Sequence, residues 1–323
     1  MTLLVTGAAG FVGFHVTRAL LERGERVIGV DSLNAYYTPT LKQARLALLR
    51  HHPGFEFHEA DLNTEGFLPG LAAREPDIRG VFHFAAQAGV RYSLQDPYAF
   101  ADANVRGQVA VLEFARRLNR LEHLVYASSS SVYGRNTKLP FSESDPVDAP
   151  GSFYAVSKRS AELTSSAYSY LYGLPQTGLR FFTIYGPWGR PDMAYYSFAR
   201  AITEGTPLTL YDGGDLQRDF TYITDVVRAV LEVFEHPPER GGARVLNIGN
   251  DRPESVRCLV SLLEQALGRK AQIALRPRPD ADVERTWADI STIRALTGWS
   301  PKICLQEGVE HFVSWFKQHQ CQT

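Results

Sequence analysis

Leu3-Leu4-Val5-Thr6-Gly7-Ala8-Ala9-Gly10-Phe11-Val12-Gly13 decides the fold of this chain. The opening apolar residues read as a buried strand. Glycines follow at positions 7, 10 and 13. Val12, Val16, Ala19 and Leu20 then recur at helical spacing, and Gly24 supplies a helix stop. A strand, a glycine turn and a helix in that order open a parallel βαβ unit. The glycines permit a tight turn and let the backbone approach a pyrophosphate, which then sits on the helix N-terminus. Spacing alone is a weak signal, and the position after the first strand strengthens it.

Working outward, Val27–Val30 reads as the next strand and ends at Asp31, 18 residues beyond Gly13. An acidic residue there would bond the adenosine ribose hydroxyls and repel a 2′-phosphate, which favours NAD over NADP. Asp61-Leu62 follows the third strand, at the border of the adenine; for Asp61 a helix cap is an equally good reading. Further short strands are expected at Val81–Phe84, Leu124–Ala127 and near Gly178–Phe182, with helical stretches such as Val105–Arg117 between them. Strands separated by helices imply a parallel sheet covered on both faces.

The second half is less regular. Pro187, Gly189 and Pro191 break the chain, Tyr195–Glu204 and Val226–Phe234 read as helices, and Val245–Ile248 reads as a late strand. Ser255 is a candidate N-cap for the stripe Val256, Leu259, Val260, Leu263, Leu267. Leu305, Val309, Phe312, Val313 and Phe316 form another stripe. Ile273–Asp282, rich in Pro and Arg, reads as a loop. The length of 323 residues suggests about two domains. The expected division is a cofactor domain over 1–180, to which 215–250 returns, and a substrate domain over 181–323.

Composition narrows the function classes. With 34 Lys plus Arg against 35 Asp plus Glu, the net charge of −1 lacks the basic field that drives nucleic-acid or membrane-surface binding. Hydrophobic residues at 44% exclude disorder as the main state. Cys258, Cys304 and Cys321 are too few for a disulfide framework, and no Cys/His cluster suggests a metal site. A reducing compartment follows. The N-terminus lacks a basic leader and no window carries 18 uninterrupted apolar residues, so a soluble, cytoplasmic protein is expected.

Two further strings carry chemistry. Tyr154-Ala155-Val156-Ser157-Lys158 opens a helical segment, where residues i and i+4 share a face. A Lys ammonium beside a phenol lowers the Tyr pKa and lets it act as general base for an alcohol; a surface pair is the plainer alternative. Upstream, Ser128-Ser129-Ser130-Ser131-Val132-Tyr133-Gly134 ends an apolar strand, which puts hydroxyls where open α/β sheets bind ligands. His83, inside a strand, reads as a satisfied core histidine, and Trp287, Trp299 and Trp315 read as packing residues.

Together, in this order and over essentially the whole chain, these elements resemble the extended short-chain dehydrogenase/reductases acting on nucleotide sugars, the NAD-dependent epimerase/dehydratase family. Within it the strings are most similar to UDP-glucuronate 4-epimerases. The segments that carry this are Ala86–Ser93, Ser128–Gly134, the run from Leu179-Arg180-Phe181-Phe182-Thr183 through Trp188-Gly189-Arg190-Pro191-Asp192-Met193, and Arg218-Asp219-Phe220-Thr221-Tyr222-Ile223-x-Asp225. The resemblance implies a Rossmann-type doubly wound parallel sheet with a smaller C-terminal substrate-binding domain. It also implies a mechanism. Tyr154 as phenolate takes the proton of the sugar 4-hydroxyl, Lys158 holds Tyr154 anionic and bonds the nicotinamide ribose, and Ser129 bonds the same hydroxyl. The C4 hydride passes to NAD, the 4-keto sugar rotates, and hydride returns to the opposite face. Other implied cofactor contacts are Phe11, Val12, Ala85, Ala86, Asn104 and Phe182. The family forms dimers through two helices per subunit, and the matching stretches are Val105–Arg117 and Ala155–Tyr172.

Neighbouring residues discriminate sister reactions. The 4,6-dehydratases carry an Asp-Glu pair at the positions of Ser130 and Ser131, and UDP-glucuronate decarboxylases carry a Glu at Ser131. Two serines cannot do that proton chemistry, having no group that titrates near pH 7. A uronate 4-epimerase must also hold the C6 carboxylate of a β-keto acid out of alignment for CO₂ loss. Hydroxyls of Ser129, Ser130, Ser131 and Thr183 with a nearby arginine would suit. Arg190 is the favoured arginine and Arg91 the second choice; for Arg190 the plain alternative is an ion pair steadying a loop. Gln87 lies in the same matching string as Arg91 and joins the substrate set. Arg218 matches the arginine that meets the UDP diphosphate. A second one is usual near the Pro-rich loop, where Arg276 and Arg278 both stand and the spacing to Asp282 leaves the choice open; Arg278 is the candidate. The run Asn34–Leu41 is placed to close over the cofactor, with its tyrosines read as packing. The leading expectation is conversion of UDP-glucuronate to UDP-galacturonate. Behind it stand a 4-epimerase of neutral UDP-hexoses, which typically carries Asn at Thr183, then a decarboxylase, then a nucleotide-bound regulator with a dead site.

Overall fold

The computed structural model describes residues 1–279 and 282–319; Cys321 lies outside them. The chain begins with β1 (Thr2–Thr6), α1 (Phe11–Glu22), β2 (Arg26–Asp31), α2 (Pro39–Arg50), β3 (Phe55–Glu59), α3 (Phe67–Arg74) and β4 (Gly80–His83). It continues through α4 (Pro97–Phe100), a π-helical turn (Ala101–Arg106), α5 (Gly107–Ala115), β5 (His123–Ser129), α6 (Phe153–Tyr172) and β6 (Gln176–Phe181). Then come β7 (Thr183–Tyr185), α7 (Ala194–Glu204), β8 (Pro207–Tyr211), β9 (Gln217–Tyr222), α8 (Ile223–Phe234), β10 (Ala243–Ile248), β11 (Pro253–Ser255), α9 (Val256–Leu267), β12 (Gln272–Arg276), α10 (Ser291–Thr297) and α11 (Leu305–His319).

Seven strands form one parallel sheet in the order β3-β2-β1-β4-β5-β6-β10. The order reverses between β1 and β4, and the crevice at such a reversal is where open α/β sheets bind ligands. The central strands β1, β4 and β5 are buried along most of their length because both faces are covered, whereas edge strand β3 is only partly buried and carries Glu56, His58 and Glu59. Leu3, Val5, Val27, Phe82 and Val125 feed one core, and Leu4, Ile28, Val81, Leu124 and Tyr126 feed the other. Alternate side chains point to opposite faces, so each strand serves two cores. His83 is the satisfied core residue expected. Its Nδ1 lies 2.7 Å from Thr6 Oγ1, and burial pushes its pKa down to about 3, so it stays neutral.

Three smaller features depart from or refine the sequence reading. Ser255 caps α9 by accepting from the Cys258 amide at 3.1 Å, as its position suggested. Within the expected loop Ile273–Asp282, by contrast, the residues up to Arg276 belong to β12, which runs parallel to β8 from Gln272↔Pro207 to Arg276↔Tyr211. The edge of β8 leaves backbone groups to be paired, and the Pro-rich composition begins only at Pro277. The helix expected over Val105–Arg117 starts earlier. Asp96 caps α4 by accepting from Ala99 N, and a π-helical turn separates α4 from α5.

Candidate active site

The glycine turn after β1 is tight. Gly7 has φ +73°, and a Cβ there would lie 2.6 Å from the Ala85 amide nitrogen; a Cβ on Gly13 would lie 2.0 Å from the Gly7 carbonyl oxygen. Gly10 donates its amide to Gly7 O at 2.8 Å, and α1 starts one residue later. The backbone thus fills the space a side chain would take, which leaves room outside for a phosphate group on the helix N-terminus. Asp31 at the end of β2 accepts from Ala9 N (3.1 Å) and Leu33 N (2.9 Å). Beside it a cavity of about 100 Å³ is lined by Asp31, Asn34, Lys42, Asp61, Leu62, Ala85 and Ala86. Asp61 caps no helix: its Oδ1 accepts from Asn63 N at 2.8 Å in a local turn. Lys42 was marked by no sequence signal. Its ammonium donates to Asn34 Oδ1 at 2.9 Å and lies 3.6 Å from Asp31 Oδ1. A dinucleotide fits this cradle.

A larger cavity, about 400 Å³, continues from the cradle. Its lining includes Gly7, Gly10, Phe11, Val12, Gly13, Ala86 and Phe182 together with Ser129, Ser130, Ser131, Tyr154, Lys158, Thr183, Arg190 and Arg218. Asn104 lines neither cavity. The π-helical turn buries its amide, which accepts from Gln87 N (2.8 Å) and donates to Gln87 O (2.9 Å) and Ser157 Oγ (2.9 Å). It holds the backbone after β4. Gln87, clamped in this way, is buried outside the cavity lining, with its own amide donating to Ala88 O.

Tyr154 is the second residue of α6, whose start is capped by Ser152 Oγ accepting from Ala155 N at 3.1 Å. Tyr154, Lys158 and Glu162 share one face, and each meets the end of β5. Lys158 Nζ donates to Ala127 O at 3.0 Å. Glu162 accepts from Ser128 Oγ (2.6 Å), from both ends of the Arg180 fork (2.9 Å each) and from Arg159 (3.0 Å). Arg180 in turn lies over the Tyr133 ring, whose hydroxyl donates to Asn247 Oδ1 at 2.6 Å. This buried network fixes the serine turn against the helix that carries Tyr154. Ser131 Oγ donates to Ser129 Oγ at 2.9 Å, and Ser131 N reaches the same oxygen at 3.2 Å. Ser129 and Ser131 therefore act as one hydrogen-bonded unit.

The electrostatics differ from the expectation drawn on the Tyr-Lys spacing. Burial raises the Tyr154 pKa above its ordinary value near 10, opposed by a hydrogen bond from Ser129 and the charge of Arg190 rather than by Lys158. Lys158 is itself pushed down to about 8, chiefly by burial and then by Arg190. A buried ammonium held by one carbonyl is poorly compensated.

The arginines divide by position. Arg190 lines the cavity and also makes the ion pair of the plainer reading: Nε donates to Asp192 Oδ1 at 3.1 Å and Nη2 to Asp192 Oδ2 at 2.8 Å. Asp192 accepts a third bond, from Tyr36 OH at 3.2 Å, so one tyrosine of the run after β2 does more than pack. Arg91 lines no part of the cavity. It pairs with Asp282 at 2.6 Å and lies over the Tyr211 ring. Arg218, held by the Gln217 and Glu284 carbonyls, faces the cavity together with Asp282, and burial lowers its pKa. Arg278 pairs with Asp212 at 3.4 Å and donates to the Asp282 carbonyl, outside the lining, while Arg276 at the end of β12 is exposed.

Comparison with known proteins agrees with this architecture. A model described as the NAD dependent epimerase/dehydratase family matches residues 3–249. A probable UDP-glucuronate 4-epimerase of Rhizobium meliloti (strain 1021) is 41% identical, over 99% of this chain and 98% of its own length. UDP-glucuronate 4-epimerase 1 of Arabidopsis thaliana is 45% identical, over 98% of this chain and 76% of its own. The solved UDP-glucuronic acid 4-epimerase from Bacillus cereus, in complex with UDP-glucuronic acid and NAD, shares the fold at a TM-score of 0.91 and 34% identity, covering 98% of this chain and 99% of that one. On the glycine cradle, the Tyr154–Lys158 helix and these matches, the chain belongs to the NAD dependent epimerase/dehydratase family.

Proposed function

We propose that this chain is an isomerase that interconverts UDP-glucuronate and UDP-galacturonate by 4-epimerisation. The observation that carries the proposal is one cavity in which Ser129, Tyr154 and Arg190 face the space beside a dinucleotide cradle, with serines and no carboxylate at positions 130 and 131. Gly7, Gly10 and Gly13 would hold the cofactor pyrophosphate, Asp31 the adenosine ribose and Lys158 the nicotinamide ribose. NAD, when bound, supplies reversible oxidation at C4. Tyr154 takes the proton of the 4-hydroxyl and returns it to the epimeric alcohol. Ser129 donates its single hydroxyl proton to the Tyr154 oxygen, which favours the phenolate, and turns it to the sugar 4-oxygen once Tyr154 has taken the proton. Ser130, Ser131, Thr183 and Arg190 hold the C6 carboxylate so that the C5–C6 bond lies off the carbonyl π system of the 4-keto sugar. Arg218 neutralises the diphosphate, where a fork of donors suits phosphate.

Residues 1–180 with 215–250 form the cofactor-binding part of this reading, and 181–323 the UDP-sugar part. The working unit is a homodimer formed through α5 and α6, supported by the exposed apolar residues Val156, Leu163 and Tyr170 spaced seven apart on α6. The deciding experiment incubates the purified protein with UDP-glucuronate, without reductant, and separates products by anion exchange with mass detection. An isobaric UDP-galacturonate peak is expected. A product lighter by CO₂ would favour the decarboxylase reading, and no change would turn attention to UDP-glucose and UDP-N-acetylglucosamine.

A further inference from the structure

Arg45, on α2, is fully buried, and among the described residues no carboxylate pairs with it. A buried guanidinium without a counter-ion is costly unless its donors are all used. Arg45 spends them on two places far apart in the sequence. Nη1 donates to Ala9 O at 2.8 Å, inside the glycine cradle, and to Tyr37 OH at 2.7 Å. On the other side, Nε and Nη2 donate to Trp188 O at 3.1 and 2.6 Å, and Nη2 also reaches Gly189 O at 3.1 Å. The preceding carbonyl, Pro187 O, lies 3.0 Å from His15 Nε2 on α1. Three consecutive carbonyls of the turn that ends at Arg190 are thus held by side chains of the cradle's own helices. The turn needs such support. Trp188 sits at φ +60°, and a side chain on Gly189 would collide with the Tyr195 hydroxyl. Strained backbone of this kind persists only when its surroundings over-determine it.

We propose that Arg45 is a positioning residue for recognition of the substrate's C6 carboxylate. By fixing the Trp188 and Gly189 carbonyls against Ala9, it sets the backbone from which Arg190 enters the cavity. The proposal rests on the uronate reading above and adds a determinant outside the cavity lining. Lysine would keep the charge but lose the planar fork that serves both carbonyls and the cradle at once.

The test measures binding, so turnover does not complicate it. In a Tyr154→Phe background with NAD present, affinities for UDP-glucuronate and UDP-glucose are measured by calorimetry, with and without Arg45→Lys. The expected result is a preference for UDP-glucuronate that falls about tenfold with Arg45→Lys, while UDP-glucose affinity stays within about twofold. Equal loss for both ligands, or no loss for either, would overturn the proposal and leave Arg45 as a packing element only. If the Tyr154→Phe protein itself shows no preference for the uronate, the uronate reading falls first and the Arg45 role with it. Should Arg45→Lys not fold, His15→Gln loosens the adjacent Pro187 carbonyl and carries the same expectation at about threefold.

Discussion

At the scale of single residues, the cavity sets two titrating groups against their ordinary values, and each has a measurable consequence. Tyr154 is raised by burial and Lys158 is lowered to about 8 from 10.5. Between those two Lys values the unfolded chain holds a proton that the folded chain has lost, so this group makes stability rise with pH from about 8 to 10.5. Below pH 8 both states are protonated and the folded protein bears the full cost of the buried charge. Lys158→Met is therefore expected to stabilise the ligand-free protein at pH 7 by up to about 3 kcal/mol. The gain should shrink at pH 10 and turnover should fall. Urea unfolding at the two pH values checks it, and an unchanged midpoint at pH 7 would contradict the buried-charge account. Tyr154→Phe removes the proposed base and, with it, the hydrogen bond to Ser129. Turnover should drop at least 10²–10⁴-fold, the usual worth of a positioned acid–base group, with the melting temperature nearly unchanged. Arg190→Ala is expected to lose uronate turnover and to release a pentose product, read by the same chromatography. Epimerisation kinetics equal to those of the parent would remove Arg190 from the carboxylate site.

At the scale of elements, the phosphate cradle is the most rigid part of the site because backbone packs directly on backbone. Gly13→Ala would push a methyl group to 2.0 Å from Gly7 O, and neither side is a flexible side chain that can yield. The cradle must then open. We expect Gly13→Ala to lower NAD affinity at least tenfold and to cost about 1–3 kcal/mol of stability, the range for overpacked sites. Titration of NAD against intrinsic fluorescence measures the first, and undiminished affinity would show that the turn can shift. The same element scale explains which structures escaped the sequence reading. β12 has little apolar alternation and most of its side chains are exposed, so only the free edge of β8 reveals that it is a strand. The π-helical turn before α5 leaves no periodic trace over six residues, yet it is what turns Asn104 onto the Gln87 backbone.

At the scale of the whole molecule, helix α6 works on two faces. Tyr154, Lys158 and Glu162 face the sheet, while Val156, Leu163 and Tyr170 are 42%, 56% and 86% exposed along one outward line. An apolar stripe in that position belongs against another surface, and the proposed dimer supplies it. Leu163→Arg should convert the protein to a monomer in sedimentation velocity without loss of helical signal. A monomeric parent protein, or an unaffected dimer, would place the subunit contact elsewhere or remove it.

What the sequence determined by itself was what contiguous residues encode in a recognisable pattern. The glycine cradle, the Asp31 strand end, the Tyr154–Lys158 helix face, the serine turn, the Ser255 cap and the alternation of strand and helix were all legible, because each is a local pattern with a local physical cause. Tertiary structure decided what depends on residues far apart. It separated Arg190, which lines the cavity, from Arg91, which pairs with Asp282, and it spent Asn104 on the backbone. It gave Tyr154 its neighbours Ser129 and Arg190, and it brought Lys42 beside Asp31 and Arg45 between Ala9 and Trp188. Burial and electric field are sums over whatever the fold gathers round a group, and no spacing along the chain records that sum.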